Sequence, residues 1–561
     1  MSDLPALPAF GPIPRPAAHG ASLAVTSPPP RILIVAPEIA RVPSGLSPRA
    51  SQFLGKAGGL ADVTASLAAG LEAQGAEVHL ALPNYRRLFG SDADASFKDS
   101  LAEAALPDGD RRVHLAEDRA FYYRTHIYGG PEAPAAVTAF QREVMNNIIR
   151  EVRPDLIHCH DWTTGLVPAF ARRHGIPCVF TVHNIHTESW NLAYLEERGI
   201  DAASFWEHLY FNNPPHNYEE TRAGNSCDLL ASGILAADLV NVVSPNFLTE
   251  ILDGYHDFVP GAVRHVLRMK AESGQARGIL NAPDISYDPA TDPELFCNYG
   301  SRDVVDGKSW NKGALQKRLG LEIDPEAPVL FWPSRLDPLQ KGCDLFASVL
   351  HGIISDYHHL GLQVVAVADG EAQGHIRHII HHHGFQSRAA CVDFDEGLSR
   401  CGFAAADFVL MPSRFEPCGL PQMIGARYGA LPIARNTGGI HDTVRELDCD
   451  AHCGNGFRFD TYDAGGFRWA IDRALSFFQG PAERREAEIR RVMDEAAGDF
   501  SDETMVEAYS GLYEELLQRP LTPPEQGPAG TLTAPFPVPR LAAAPERHSS
   551  GAPVLTGAQR G

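Results

Sequence analysis

From about residue 31 to 519, short apolar runs alternate with longer amphipathic stretches, the pattern of parallel sheets covered by helices. RILIVAP (31–37) reads as a buried strand and EVHLALP (77–83) as the next. Between them Leu60, Val63, Leu67 and Leu71 recur at steps of three, four and four. They therefore share one face of a helix predicted from about Leu60 to Gln74, with Gly75 as its stop. DLIHCH (155–160), PCVFTVH (177–183) and DLVNVVS (238–244) continue the strand series. A second series, VLFWPS (329–334), VVAVAD (364–369), AACVDF (389–394), DFVLMPS (407–413) and LPIAR (431–435), follows a stretch at 281–300 whose Pro, Asp and Gly content suits a hinge. The expectation is an α/β protein of two Rossmann-like doubly wound domains facing a central cleft, spanning 31–280 and 281–499, with a return helix at about 500–518. In such sheets ligands collect beyond the carboxyl ends of the strands.

Composition narrows the class. The 561 residues carry 70 acidic and 48 basic side chains, a net charge of −22, which argues against a nucleic-acid partner, since such affinity comes largely from Lys and Arg on phosphates. No stretch approaches the ~18 uninterrupted apolar residues that a membrane-spanning helix needs. The N-terminal twenty residues lack a charged region followed by a compact apolar run, so no secretory signal is expected. Residues 1–30 hold eight prolines and residues 520–561 hold nine, among Ala, Gly and Ser, and both read as disordered tails. Ten cysteines with no Cys-x-x-Cys pair read as reduced thiols. A cytoplasmic enzyme is the expected class.

The polar clusters lie at strand ends. Lys56-Ala57-Gly58-Gly59 precedes the first long helix, where glycines let backbone approach a ligand and helix-terminal N–H groups attract anions. Asp161, in HCHDWTTG (158–165), and His183, in TVHNIH (181–186), end consecutive strands and are placed to face one crevice. There a carboxylate binds sugar hydroxyls and an imidazole exchanges a proton. Arg335 and Lys341 lie in PSRLDPLQKG (333–342), two cations at a strand-to-helix turn that suit a diphosphate. Glu416 ends another such turn, with Cys418-Gly419-Leu420 opening the helix after it, and as a bland alternative it serves as that helix's charge cap. The histidines of HIRHIIHHH (375–383) read as a solvated helix face rather than a metal site, because His378 and His382 lack a third ligand of matching spacing.

In this order the clusters resemble those of bacterial glycogen synthases and plant starch synthases, retaining glucosyltransferases of the two-Rossmann-domain GT-B architecture. KAGGLADV (56–63), HDW (160–162), TVHN (181–184), VSP (243–245), ILN (279–281), SRL…QKG (334–342), PSRFEPCGL (412–420) and TGG (437–439) carry the resemblance, which spans about 31–518. It implies that Lys56 binds the nucleotide phosphates with Gly58 and Gly59 cradling the donor, and that Asp62 faces the acceptor. It places Asp161 and His183 at the glucose site, and Arg335 and Lys341 on the diphosphate in place of a metal. It also implies that Glu416 holds the glucosyl hydroxyls and steadies positive charge at the anomeric carbon. The N–H groups of Cys418, Gly419 and Leu420 then help the phosphates, and Phe394 lies against the base.

The implied activity is transfer of glucose from ADP-glucose to the non-reducing end of a glycogen-like α-1,4-glucan, with no cofactor and no metal. Two alternatives stay open: a related retaining transferase using UDP-glucose or another acceptor, and a silent glucan-binding homologue. The chain departs from the family pattern at several points. Seventeen residues separate Glu38 from Lys56, about a dozen more than is usual, IHTESW (185–190) follows TVHN, Ala282-Pro283 follows ILN, and ADGE (368–371) replaces a Gly-x-Gly-Asp.

Overall fold

The structure, a computed structural model, describes residues 28–47, 55–86 and 112–521. The tails expected at 1–30 and 520–561 fall almost entirely outside the described residues, as does part of the long segment between Glu38 and Lys56. Fifteen strands are described: β1 (Arg31–Val35), β2 (Glu77–Pro83), β3 (Val113–Ala116), β4 (Leu156–His160), β5 (Cys178–Val182), β6 (Ser189–Asn191), β7 (Ser226–Asp228), β8 (Leu239–Val242), β9 (Ala276–Gly278), β10 (Val329–Trp332), β11 (Gln363–Val367), β12 (Ala389–Val392), β13 (Phe408–Met411), β14 (Leu431–Arg435) and β15 (Phe457–Phe459). They build a seven-stranded sheet in the order β3-β2-β1-β4-β5-β8-β9, a six-stranded sheet in the order β12-β11-β10-β13-β14-β15, and a small β6-β7 hairpin. Every pairing in the two large sheets is parallel.

Both sheets are covered on two faces, which is why their central strands are mostly apolar. Along β1, Leu33 and Val35 enter one core and Ile32 and Ile34 the opposite one. Along β10, Leu330 and Trp332 point one way and Val329 and Phe331 the other. The strand order reverses between β1 and β4 in the first sheet and between β10 and β13 in the second, the switch points where a crevice opens beyond the carboxyl ends.

The helices that position the site are α1 (Gly59–Ala73), α2 (Pro245–Asp253), α3 (Cys343–Asp356), α4 (Glu396–Ala405), α5 (Pro421–Arg427), α6 (Gly438–Thr443) and α7 (Asp502–Leu517). The last of these, α7, returns to the first sheet, where Met505, Val506, Tyr509, Leu512 and Tyr513 join the core that α1 covers. Its two tyrosines also reach buried polar groups: Asn241 Nδ2 donates to Tyr509 OH at 2.8 Å, and Tyr513 OH lies 2.7 Å from His158 Nδ1.

The stretch 281–300 forms neither helix nor strand, yet most of it is fastened to the second sheet through Tyr287, Leu295 and Tyr299. Ala282 still belongs to the first core, so the chain crosses between domains over 283–286. Where the domains meet, Val243 and Leu280 of the first pack against Cys418, Leu420 and Met423 of the second.

Candidate active site

The Lys56 loop is pinned from below. Glu38, just past β1 and only 3 % exposed, accepts from the backbone N–H of Ala57, of Gly58 at 3.1 Å and from Tyr128 OH at 2.9 Å. Burial pushes the Glu38 carboxyl up to about 7 despite these donors. Lys56 Nζ lies 3.0 Å from Asp62 Oδ1 in the first turn of α1, and 4.0 Å from Glu396 Oε2 at the start of α4 in the second domain. Burial raises Asp62 to about 6, with Lys56 pulling the other way. Burial also opposes the Lys56 charge, but Asp62, Tyr287 and Glu396 around it outweigh that and hold the ammonium above its usual range.

At the ends of β4 and β5 the carboxylate of Asp161 is used on backbone. Its Oδ1 accepts from His183 N at 2.6 Å and Asn184 N at 3.3 Å, and its Oδ2 from Asn184 Nδ2 at 3.0 Å. Asp161 itself has φ of +58°, a left-handed conformation uncommon for a residue with a side chain. It therefore shapes the TVHN turn, and its burial raises its carboxyl to about 7. His183 Nε2 is hydrogen-bonded to His160 Nδ1 at 2.9 Å. Burial lowers His183 to about 3, so the ring is neutral near pH 7. Its Nδ1 has no protein partner among the described residues.

In the second domain, the turn before α3 presents Lys341 to the turn after β13. Gly342 makes this approach possible: its φ is +74°, and a Cβ there would strike the carbonyl of Pro412. Lys341 Nζ reaches Glu416 Oε2 at 2.6 Å, and Ser413 Oγ donates to the same oxygen at 3.0 Å. Glu416 is 5 % exposed and bonds neither N–H of α5, so it is not that helix's cap. Arg335 is exposed and holds no ion pair among the described residues. Phe394 is 51 % exposed at the end of β12, its N–H donating to Asp369 Oδ1 beside the ADGE turn at 3.0 Å. Gly419 takes a φ of +78° in the turn that leads into α5.

The two halves meet at the glycine loop: a Cβ added to Gly59 would lie 3.0 Å from Leu420 Cδ1. Lys56, Gly58, Gly59 and Asp62 thus adjoin Leu420 and Glu396. The Asp161–His183 pair and the Lys341–Glu416 pair make no hydrogen bond to each other. Reasoning from the sequence missed Glu38, Tyr128, His160, Tyr287 and Glu396. Of these, His160 adjoins Asp161 and Glu396 stands two residues from Phe394, so each had a neighbour that pointed to it. His378 and His382 stack at 5.7 Å on the exposed face of the helix Gln373–His382. Among the described residues no helix is long and apolar enough to cross a membrane.

The chain as a whole resembles known proteins. The profile described as "Starch synthase catalytic domain" matches residues 31–267, and "Glycosyl transferases group 1" matches 327–476. A glycogen synthase of Exiguobacterium sibiricum is 34% identical over 82% of this chain and 95% of its own length. The chain belongs to the glycogen synthase family. Another family member, from Moorella thermoacetica, is 33% identical over 87% of this chain and 97% of its own. The catalytic domain of starch synthase IV from Arabidopsis thaliana, bound to ADP and acarbose, superimposes with a TM-score of 0.70 at 28% identity, covering 88% of this chain and all of that one. A sucrose-phosphate synthase from Thermosynechococcus elongatus shares the fold alone, with a TM-score of 0.54 at 17% identity over 87% of this chain and 99% of its own. The protein is a glycosyltransferase of the glycogen and starch synthase kind, built as two Rossmann-like domains.

Proposed function

We propose that the protein moves glucose from ADP-glucose to the non-reducing end of an α-1,4-glucan, with retention of configuration, in the cytoplasm and without a metal. The observation that carries this reading is the convergence of opposite charges at the crevice: Lys341 against Glu416 at 2.6 Å in one domain, and Lys56 with its glycine loop in the other. Breaking a glycosyl phosphate bond builds negative charge on the leaving group and positive charge on the sugar, so cations and carboxylates are both needed, on opposite sides of the bond.

In this reading Lys56, Arg335 and Lys341 take the diphosphate, with the N–H groups of Cys418, Gly419 and Leu420 beside it, and Glu416 stands at the glucosyl ring. His183 offers Nδ1 to the sugar. Asp161 serves by holding His183 and Asn184 in place, and Phe394 is exposed where a base can stack. The ADP in the starch synthase IV structure supports the choice of nucleotide. The test is incorporation of glucose into glycogen from ADP-glucose and UDP-glucose in parallel, in buffer with chelator. Faster transfer from ADP-glucose, undiminished by chelator, is expected; faster transfer from UDP-glucose overturns the donor, and a need for added Mg²⁺ overturns the metal-free chemistry.

A further inference from the structure

Two helices from opposite domains cap each other. At the start of α2, Asp442 of the second domain accepts from Ser244 Oγ at 2.6 Å and Asn246 N at 3.0 Å. At the start of α6, Glu250 of the first domain accepts from Gly438 N at 2.9 Å and from Thr437 Oγ1 at 3.2 Å. A helix is ordinarily capped by its own N-cap side chain. Here Thr437, the N-cap of α6, makes no such bond and points its hydroxyl to Glu250 instead. Glu250 is further fixed by Asn246 Nδ2 at 3.0 Å and His256 Nε2 at 2.8 Å, so donors from both domains converge on one carboxylate.

The turn that Glu250 holds is the one on which Glu416 rests. Gly439 N donates to the Glu416 carbonyl at 2.9 Å, and Gly438, with φ of +47°, packs so closely on that carbonyl that a Cβ would strike it. We infer that Glu250 is a positioning residue for Glu416: a first-domain carboxylate holds the second-domain TGG turn, and through it the backbone of the sugar-site carboxylate, so that docking of the domains and placement of Glu416 are one event. The inference rests on the proposed role of Glu416, and it adds a residue that touches no substrate.

The experiment uses the full chain with Glu250→Gln, Glu416→Gln and the double variant. Glu250→Gln is expected to lower kcat by roughly tenfold, the worth of one well-placed hydrogen bond to a charged group, with KM for donor changed less than about twofold. In the Glu416→Gln background the same substitution should add less than about twofold, because its effect runs through Glu416. Amide exchange should quicken at Gly438 and Gly439 in Glu250→Gln. Unchanged kcat, losses that multiply in the double variant, or unchanged exchange at both amides each overturn the inference. Should Glu250→Gln not fold, Asp442→Asn breaks the partner cap and must show the same non-additivity. A wild-type chain inactive with every donor defeats the functional reading instead, and the exchange measurement still decides whether Glu250 holds the turn.

Discussion

Lys341 and Glu416 form an ion pair at 2.6 Å with side chains 13% and 6% exposed, so a cation assigned to the leaving group and a carboxylate assigned to the sugar are each other's partners before any donor arrives. A buried pair is costly to break from one side, because the survivor stays charged and desolvated. Lys341→Ala should therefore lose stability, by about 3–5 kcal/mol if Glu416 stays ionised, and also lose turnover by roughly 10² or more. Urea unfolding and kcat on ADP-glucose read the two effects separately. Normal turnover in a folded Lys341→Ala enzyme would remove this lysine from the diphosphate site.

Arg335 gives the cleaner case. It is exposed and has no ion pair among the described residues, so removing it disturbs nothing in the fold. Arg335→Ala should leave the melting temperature within a degree or so of wild type while cutting kcat/KM by roughly 10². A drop in melting temperature with unimpaired kinetics would assign the arginine to the surface.

How much of this was legible in the sequence follows from what each signal depends on. The ten strands and the α1 face read from apolar runs match the structure to within one or two residues, because burial on both faces keeps these runs mostly apolar, and the polar groups they do bury, such as His158 and Asn241, are hydrogen-bonded. The strands β3, β6, β7, β9 and β15, of three or four residues, escaped because each carries a polar residue and none is an unbroken apolar run like the equally short β10. Lys56, Lys341 and Glu416 stood out as charged residues at strand-end turns. Glu38, His160 and Glu250 did not, since their importance lies in what they hydrogen-bond across 19, 23 and 188 positions of chain. Asp161 was legible as a strand-end carboxylate, but its use on the backbone of His183 depends on a left-handed turn that no spacing reveals.

That use changes what Asp161→Asn should do. A residue touching only substrate would spare stability; one that holds two backbone N–H groups and a side-chain amide through both oxygens will not. Replacing one oxygen by NH₂ sets a donor against the Asn184 amide, so an unfolding cost of about 1–3 kcal/mol is expected. The fall in kcat should accompany disorder at His183. A crystal structure of the variant checks both, and a superimposable TVHN turn with normal stability would restore Asp161 to direct contact with the sugar.

The last prediction concerns Glu38, whose carboxyl burial raises from 4.5 to about 7 in the fold. A group that holds its proton more tightly in the folded state contributes stability that is full while both forms are protonated and falls as pH rises through the range where the unfolded form is ionised and the folded form still neutral. Its contribution is complete below about pH 4.5 and is lost as pH rises through about 7. Glu38→Gln keeps the shape but cannot ionise. The stability of wild type relative to this variant should therefore decline between pH 5 and pH 8, by about 2–3 kcal/mol. Urea unfolding of both proteins at the two pH values measures it. A difference that stays constant, or one that grows with pH, would mean that Glu38 is ionised beneath the glycine loop throughout this range.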